Sequence, residues 1–171
     1  MSTPLIGIIM GSDSDLDVMS EAAKICDQFG VAYEVRIISA HRTPDAMSTY
    51  AAEAADRGLQ LIIAGAGGSA HLPGMTASHT LLPVIAVPIK RAETDHEALW
   101  SNIKMPPGVP LATLPENGAK NAGLLAIEIL SLHDIELRSA YKAFRATQAA
   151  SVSAADSAIQ AQGWQEYPNN G

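Results

Sequence analysis

The 171-residue sequence holds a single cysteine, Cys26, so no intramolecular disulfide can form. Its place in an apolar helical stripe makes it a small buried residue with no chemistry of its own. Basic residues are also few: 11 Lys and Arg against 18 Asp and Glu leave a net charge of -7, and a general nucleic-acid surface would need clustered cations. A local phosphate site is still compatible with that balance. No apolar run approaches the roughly 20 residues of a membrane span, and the start Met1-Ser2-Thr3-Pro4 has no charged leader region. These absences predict a soluble, cytoplasmic protein with no membrane partner. Internal repeats and interdomain linkers are missing too, and the length suits one core with a tail.

What is present is an alternation of strands and helices. Residues 5–10 form an isoleucine-rich apolar run, as expected of a parallel strand buried on both faces. A helical spacing follows from Leu16 through Met19, Ala22, Ala23, Cys26 and Phe29, and Gly30 stops it. Val31, Tyr33, Val35 and Ile37 alternate with polar residues in a second, less buried strand. Thr43-Pro44 reads as an N-cap and first helical residue, and Met47, Tyr50, Ala51, Ala54 and Ala55 carry that helix toward Gly58. Residues 59–64 are the third strand. Pro73 begins a short helix to about Thr80, and residues 83–88 are the fourth strand. Thr94 caps a helix with Asp95 and Glu97 in its first turn and an apolar face of Leu99, Trp100 and Ile103. Residues 109–114 form the fifth strand and 119–132 an alanine-rich helix. This order specifies a three-layer α/β fold with a parallel sheet and right-handed crossovers. Residues 1–133 are expected to be the catalytic α/β domain. Residues 134–171 are a C-terminal helix and tail, either in the same domain or packed on a neighbouring subunit.

Three strand-to-helix turns carry the chemistry, because ligands of open α/β sheets bind at that edge. Gly11-Ser12-Asp13-Ser14-Asp15 offers hydroxyls and backbone N–H groups suited to an anion. Its carboxylates would repel a phosphate unless they face sugar hydroxyls, and the plainer reading is that Ser14 or Asp13 caps the helix. Gly65-Ala66-Gly67-Gly68-Ser69-Ala70-His71 formally matches a dinucleotide fingerprint, but it follows the third strand and no acid closes the next one. Its glycines more simply let backbone approach a planar ligand. Ser39-Ala40-His41-Arg42-Thr43-Pro44-Asp45 pairs the residue type that titrates near neutrality with a permanent cationic fork. That is an enzyme's pairing of proton shuttle and anion clamp. His79, His96 and His133 fall in helical patterns and read as solvated or packed. No spacing marks a metal site, and none is expected.

Taken together, Met10-Gly11-Ser12-Asp13-Ser14-Asp15, Ser39-Ala40-His41-Arg42-Thr43-Pro44 and Ala64-Gly65-Ala66-Gly67-Gly68-Ser69-Ala70-His71-Leu72-Pro73-Gly74-Met75 resemble the PurE family, the N5-carboxyaminoimidazole ribonucleotide mutases of purine biosynthesis. The resemblance covers about residues 5 to 135. It implies a flavodoxin-like fold, a homo-octamer, a ribonucleotide substrate with CO2 as intermediate, and a cofactor-free shift of a carboxylate from N5 to C4 of the imidazole. By motif match, Ser12, Ser14, Ser39 and Arg42 hold the phosphate, Asp15 the ribose, and His41 is the acid/base. His71 and the glycine turn wall the pocket and orient the carboxylate. Gly11, Ala40, Gly67, Gly68, Ser69 and Leu72 complete the expected substrate-binding set.

The second half departs from the mutase pattern. Lys90-Arg91-Ala92-Glu93-Thr94-Asp95-His96-Glu97 and Leu114-Pro115-Glu116-Asn117-Gly118-Ala119-Lys120 replace the usual segments, and the latter looks somewhat like the class that carboxylates aminoimidazole ribonucleotide directly. A direct carboxylase, or an enzyme running the decarboxylation, is therefore the alternative. A flavin-binding or receiver-type module suits the fold but not the residues. The third strand ends without a phospho-acceptor Asp, and no aromatic residue stands in the three turns to stack a flavin.

Overall fold

The computed structural model describes residues 3–91 and 96–168. Five parallel strands form one sheet in the order β2-β1-β3-β4-β5: β1 Ile6–Met10, β2 Tyr33–Ile37, β3 Leu61–Gly67, β4 Val84–Ile89 and β5 Ala112–Thr113. Between them run α1 Leu16–Phe29, α2 Pro44–Glu53, α3 His71–His79 and α4 Glu97–Ile103, followed by α5 Ala119–Leu130 and α6 Ile135–Gln162. The chain divides into two compact units, Met1–Leu130 and Ser131–Gly171.

Alternation along the central strands feeds two cores. Ile6, Ile8, Met10, Leu61, Ile63, Ile85 and Val87 pack with Met19, Ala22 and Cys26 of α1 and Ala119, Ala122 and Ala126 of α5. On the other face Ile9, Ile62, Ala64 and Val84 meet Met47 and Tyr50 of α2, Leu72 of α3 and Ala98 of α4. The three-layer α/β fold is thus as expected. Cys26 is fully buried, and burial pushes its thiol up to about 12.

Several boundaries differ from expectation, each for a local reason. β3 starts later and runs through Gly65-Ala66-Gly67, because these residues continue the ladder opposite Val87, Pro88 and Ile89. Gly65 is therefore a strand residue, and the Met19 sulfur occupies the space that a Cβ there would take. α3 begins at His71, two residues before Pro73. β5 shrinks to two residues, since Val109 N–H turns back to the Pro106 carbonyl (3.2 Å) and Pro110 has no N–H to donate. The expected cap at Thr94, with Asp95, lies outside the described residues.

α4 also rolls differently. Ala98 and Asn102 are buried, whereas Trp100 and Ile103 are each 52% exposed. Ala98 fills the space beside Leu72 and Val84, and the Thr113 hydroxyl donates to the Asn102 carbonyl at 3.1 Å. Those two anchors set the roll and turn Trp100 and Ile103 outward, while Leu99 stays half-buried.

In the second unit, Asp134 caps α6 by accepting from the N–H groups of Glu136 (3.0 Å) and Leu137 (2.9 Å). Tyr141 and Phe144 stack on one side of this helix, with ring centroids 6.3 Å apart.

The edge strand β2 is tied down by charge. Arg57 forms a fork on Glu34, with Nη1 to Oε2 at 3.1 Å and Nη2 to Oε1 at 2.7 Å, and lies over the Tyr50 ring. Burial is the largest single effect and pushes the Glu34 carboxyl up, but the hydrogen bonds and charge of Arg57, together with Tyr50 and Arg36, outweigh it in sum and hold the group below the ordinary 4.5. This stabilisation is present above the unfolded value and lost as pH falls through the folded one. Glu34→Gln should therefore cost about 0.5–1 kcal/mol near neutrality in urea unfolding, and the difference should vanish in acid below the ordinary glutamate range.

Candidate active site

In a parallel sheet all C-terminal strand ends share one edge, and the chain runs outward in opposite directions from β1 and β3. The three Gly/Ser/His turns leave that edge side by side. They line one cleft of about 480 Å³, together with Arg91. Every expected site residue borders it except Ser14, which stands at the rim bonded to Ser12 and Arg91.

The first turn is a short 3-10 segment, Asp13–Asp15, preceded by Ser12 in extended conformation. Neither Ser14 nor Asp13 is its cap, as the plainer sequence reading had it. Ser12 and Asp15 cap reciprocally: Ser12 Oγ accepts from the Ser14 N–H, and Asp15 Oδ2 accepts from the Ser12 N–H at 3.1 Å. Asp13 is exposed, and its Oδ1 takes the Ser12 hydroxyl and the Ser14 N–H, both at 3.0 Å. Asp15 is only 2% exposed, and burial pushes its carboxyl up against the opposing pull of Arg91.

The second turn is closed by a side chain. Thr43 stands at the N-cap position of α2, yet its hydroxyl does not bond the helix. It accepts the Ser39 N–H (2.9 Å) and donates to the Ser39 carbonyl (3.1 Å). The loop thus formed presents His41 and Arg42. Arg42 Nη2 donates to the Gly11 carbonyl at 2.8 Å and Nε to Ser39 Oγ at 3.5 Å, joining the first two turns with two of its five N–H donors.

The third turn reverses at Gly68 (φ 60°) and Ala70 (φ 45°), and the Ala70 N–H closes on the Gly67 carbonyl at 3.1 Å. This left-handed pair is costly for alanine and sets His71 at the start of α3. His41 Nε2 and His71 Nδ1 consequently meet at 2.8 Å with perpendicular rings. One nitrogen donates and the other accepts, so this hydrogen bond holds a single proton between two exposed imidazoles.

Arg91 escaped the sequence reading. It lies two residues past β4, at the same edge, and pairs with Asp15 while donating to Ser14 Oγ at 3.1 Å. The signal was available: a cation just after a fourth strand belongs to the ligand edge by topology alone. The two departing segments also meet nearby. His96 Nδ1 lies 2.8 Å from Glu116 Oε2, and the Lys90 N–H donates to Asn117 Oδ1 at 3.0 Å. His79 and His133 are exposed, as expected.

Thr43→Val should destabilise the protein by about 0.5–1.5 kcal/mol in urea unfolding through loss of the two Ser39 bonds, and Thr43→Ser should restore it.

Comparison with known proteins places the chain in a family. The AIR carboxylase family model matches residues 5–151. A Vibrio cholerae protein named N5-carboxyaminoimidazole ribonucleotide mutase is 55% identical over 150 residues, 86% of this chain and 93% of its own. A Schizosaccharomyces pombe protein named phosphoribosylaminoimidazole carboxylase is 50% identical over 168 residues, 98% of this chain but 30% of that protein. The crystal structure of Treponema denticola PurE superposes with a TM-score of 0.83 at 34% identity, covering 91% of this chain and 98% of that one. With the fold, the three turns and a match spanning β1 to the middle of α6 in agreement, the chain belongs to the AIR carboxylase (PurE) family.

Proposed function

We propose that the protein is an N5-carboxyaminoimidazole ribonucleotide mutase of purine biosynthesis, moving a carboxylate from N5 to C4 of the imidazole without a cofactor. The observation that carries this reading is the His41–His71 pair at 2.8 Å, set between a serine-rich anion turn and a glycine turn. Arg42 with Ser12, Ser14 and Ser39 takes the phosphate, and Asp15 takes the ribose. The base then reaches toward His41 and the backbone of Gly67, Gly68 and Ser69, with Gly11, Ala40 and Leu72 shaping the walls.

In the reaction, protonated His41 gives its proton to N5 as the N5–carboxylate bond breaks, leaving aminoimidazole ribonucleotide and CO2. The C4 carbon attacks that CO2. His41 then takes the C4 proton as aromaticity returns, so the enzyme ends in its starting state. His71, held to His41, orients the carboxylate, and the glycine turn keeps water away from the CO2. The full enzyme on this reading is a cytoplasmic homo-octamer. The exposed apolar surface of Trp100, Ile103 and Ile37 supports association.

A direct carboxylase is the second reading, favoured by the S. pombe relative and by the departing segments that meet beside the cleft. Isotope labelling separates the two. Substrate labelled in the N5 carboxylate should give C4 product that keeps its label in unlabelled bicarbonate. Complete exchange, or turnover only with aminoimidazole ribonucleotide plus bicarbonate, would assign the carboxylase instead. His41→Asn should lower kcat by about 10²- to 10⁴-fold and leave aminoimidazole ribonucleotide binding within about threefold. Substantial turnover by that variant removes His41 from the acid/base role.

A further inference from the structure

Arg91 belongs to none of the three motifs, yet it is built into the first of them. From beyond the end of β4 its Nη2 donates to Ser14 Oγ at 3.1 Å and pairs with Asp15 Oδ1. The side chain crosses directly over Gly67. A Cβ at that position would stand 2.7 Å from Arg91 Nε and 3.1 Å from the Ile89 carbonyl, so glycine keeps the passage open. Gly67 thus has a packing reason that does not require a ligand against its backbone.

The two groups that Arg91 touches need holding. Asp15 is almost wholly buried, and a desolvated carboxylate keeps its charge only when paired and hydrogen-bonded. Burial favours its neutral acid, opposed by Arg91 first and then by the Ser12 N–H and Arg42. As an anion, Asp15 can only accept hydrogen bonds, which suits the hydroxyls of a ribose; as a neutral acid it would compete with them as a donor. Ser14 is directed in the same way. Its oxygen accepts from Arg91 while its hydrogen goes to Ser12 Oγ at 3.1 Å, giving an ordered chain that ends on Asp13.

Resting on the mutase reading, in which Asp15 meets the ribose and Ser12 and Ser14 the phosphate, we infer that Arg91 is a positioning residue for the ribose–phosphate end of the nucleotide. It holds the Asp15 carboxylate and the Ser14 hydroxyl in one arrangement from the end of β4. The first turn is therefore clamped from two sides, by Arg42 on the Gly11 carbonyl and by Arg91 on Asp15 and Ser14. Because Arg91 lies at the ribose–phosphate end, its removal weakens binding more than it slows chemistry at the imidazole.

The test compares wild type, Arg91→Met, Arg91→Lys, Asp15→Asn and the Asp15→Asn/Arg91→Met double variant. Each is assayed for kcat and KM with N5-carboxyaminoimidazole ribonucleotide and for Kd with aminoimidazole ribonucleotide, with thermal unfolding as the check on folding. Arg91→Met should raise KM and Kd by about 10- to 100-fold, the worth of a charged hydrogen bond, with a smaller change in kcat. Arg91→Lys should recover part of that loss. In the Asp15→Asn background, Arg91→Met should add little, because the two act as a unit. The inference is overturned if a folded Arg91→Met variant keeps wild-type KM and Kd, or if it loses kcat alone. It is equally overturned if the Arg91→Met effect is the same with and without Asp15. Should Arg91→Met not fold, wild-type KM and Kd in Arg91→Lys would overturn it, and an intermediate increase would uphold it. Folded wild-type protein that binds no aminoimidazole ribonucleotide would sink the enzymatic assignment itself.

Discussion

The register of β1 between β2 and β3 is the constraint on which the site depends. Met10 stands opposite both Ile37 and Gly65, so three strands reach the same level before their chains depart. Backbone bonds extend that ladder one step into the turns: Ile38 N–H to the Met10 carbonyl at 2.8 Å, and Gly11 N–H to the Gly65 carbonyl at 3.2 Å. A shift of one residue would flip Ile6, Ile8 and Met10 out of their core and displace the first turn from the other two. Burial on both faces thus fixes the register, and the register assembles the cleft.

On that frame the electrostatics are arranged in a net acidic protein. Two guanidinium groups converge on one turn, and the only deeply buried carboxylate among the described residues, Asp15, lies between its own backbone cap and Arg91. The acids of that turn are occupied within it: Asp15 is buried and paired with Arg91, and the exposed Asp13 takes the Ser12 hydroxyl and the Ser14 N–H. That arrangement answers the repulsion which the sequence raises when two aspartates stand beside two serines. The histidine pair lines the same cleft, His41 next to Arg42 in the second turn and His71 at the start of α3.

Much of the fold was legible in the residues. Isoleucine-rich strands, Gly30 at the end of α1 and Pro44 at the start of α2 are local signals, and the structure places elements accordingly. The failures have a common physical origin. Gly65-Ala66-Gly67 looks like a turn but is strand, because pairing to β4 and the space required by Met19 outweigh glycine's local preference. Trp100 and Ile103 of α4 point outward because its roll is set by Ala98 and by the Thr113 bond to Asn102, neither of which its periodicity records. Thr43 occupies the cap position yet spends its hydroxyl on Ser39.

The sequence by itself determined the alternation of strands and helices, the parallel sheet, and the three turns whose arginine, histidines and most of whose serines line one cleft. These follow from periodicity, turn chemistry and the rule that such turns share one edge. Only the tertiary structure decided which partners those groups take. That His41 meets His71, that Arg42 grips Gly11, and that Arg91 reaches across Gly67 to Asp15 are contacts between residues 30, 31 and 76 positions apart. No local pattern encodes such pairings, because they depend on strand order and register, which only the packed sheet sets.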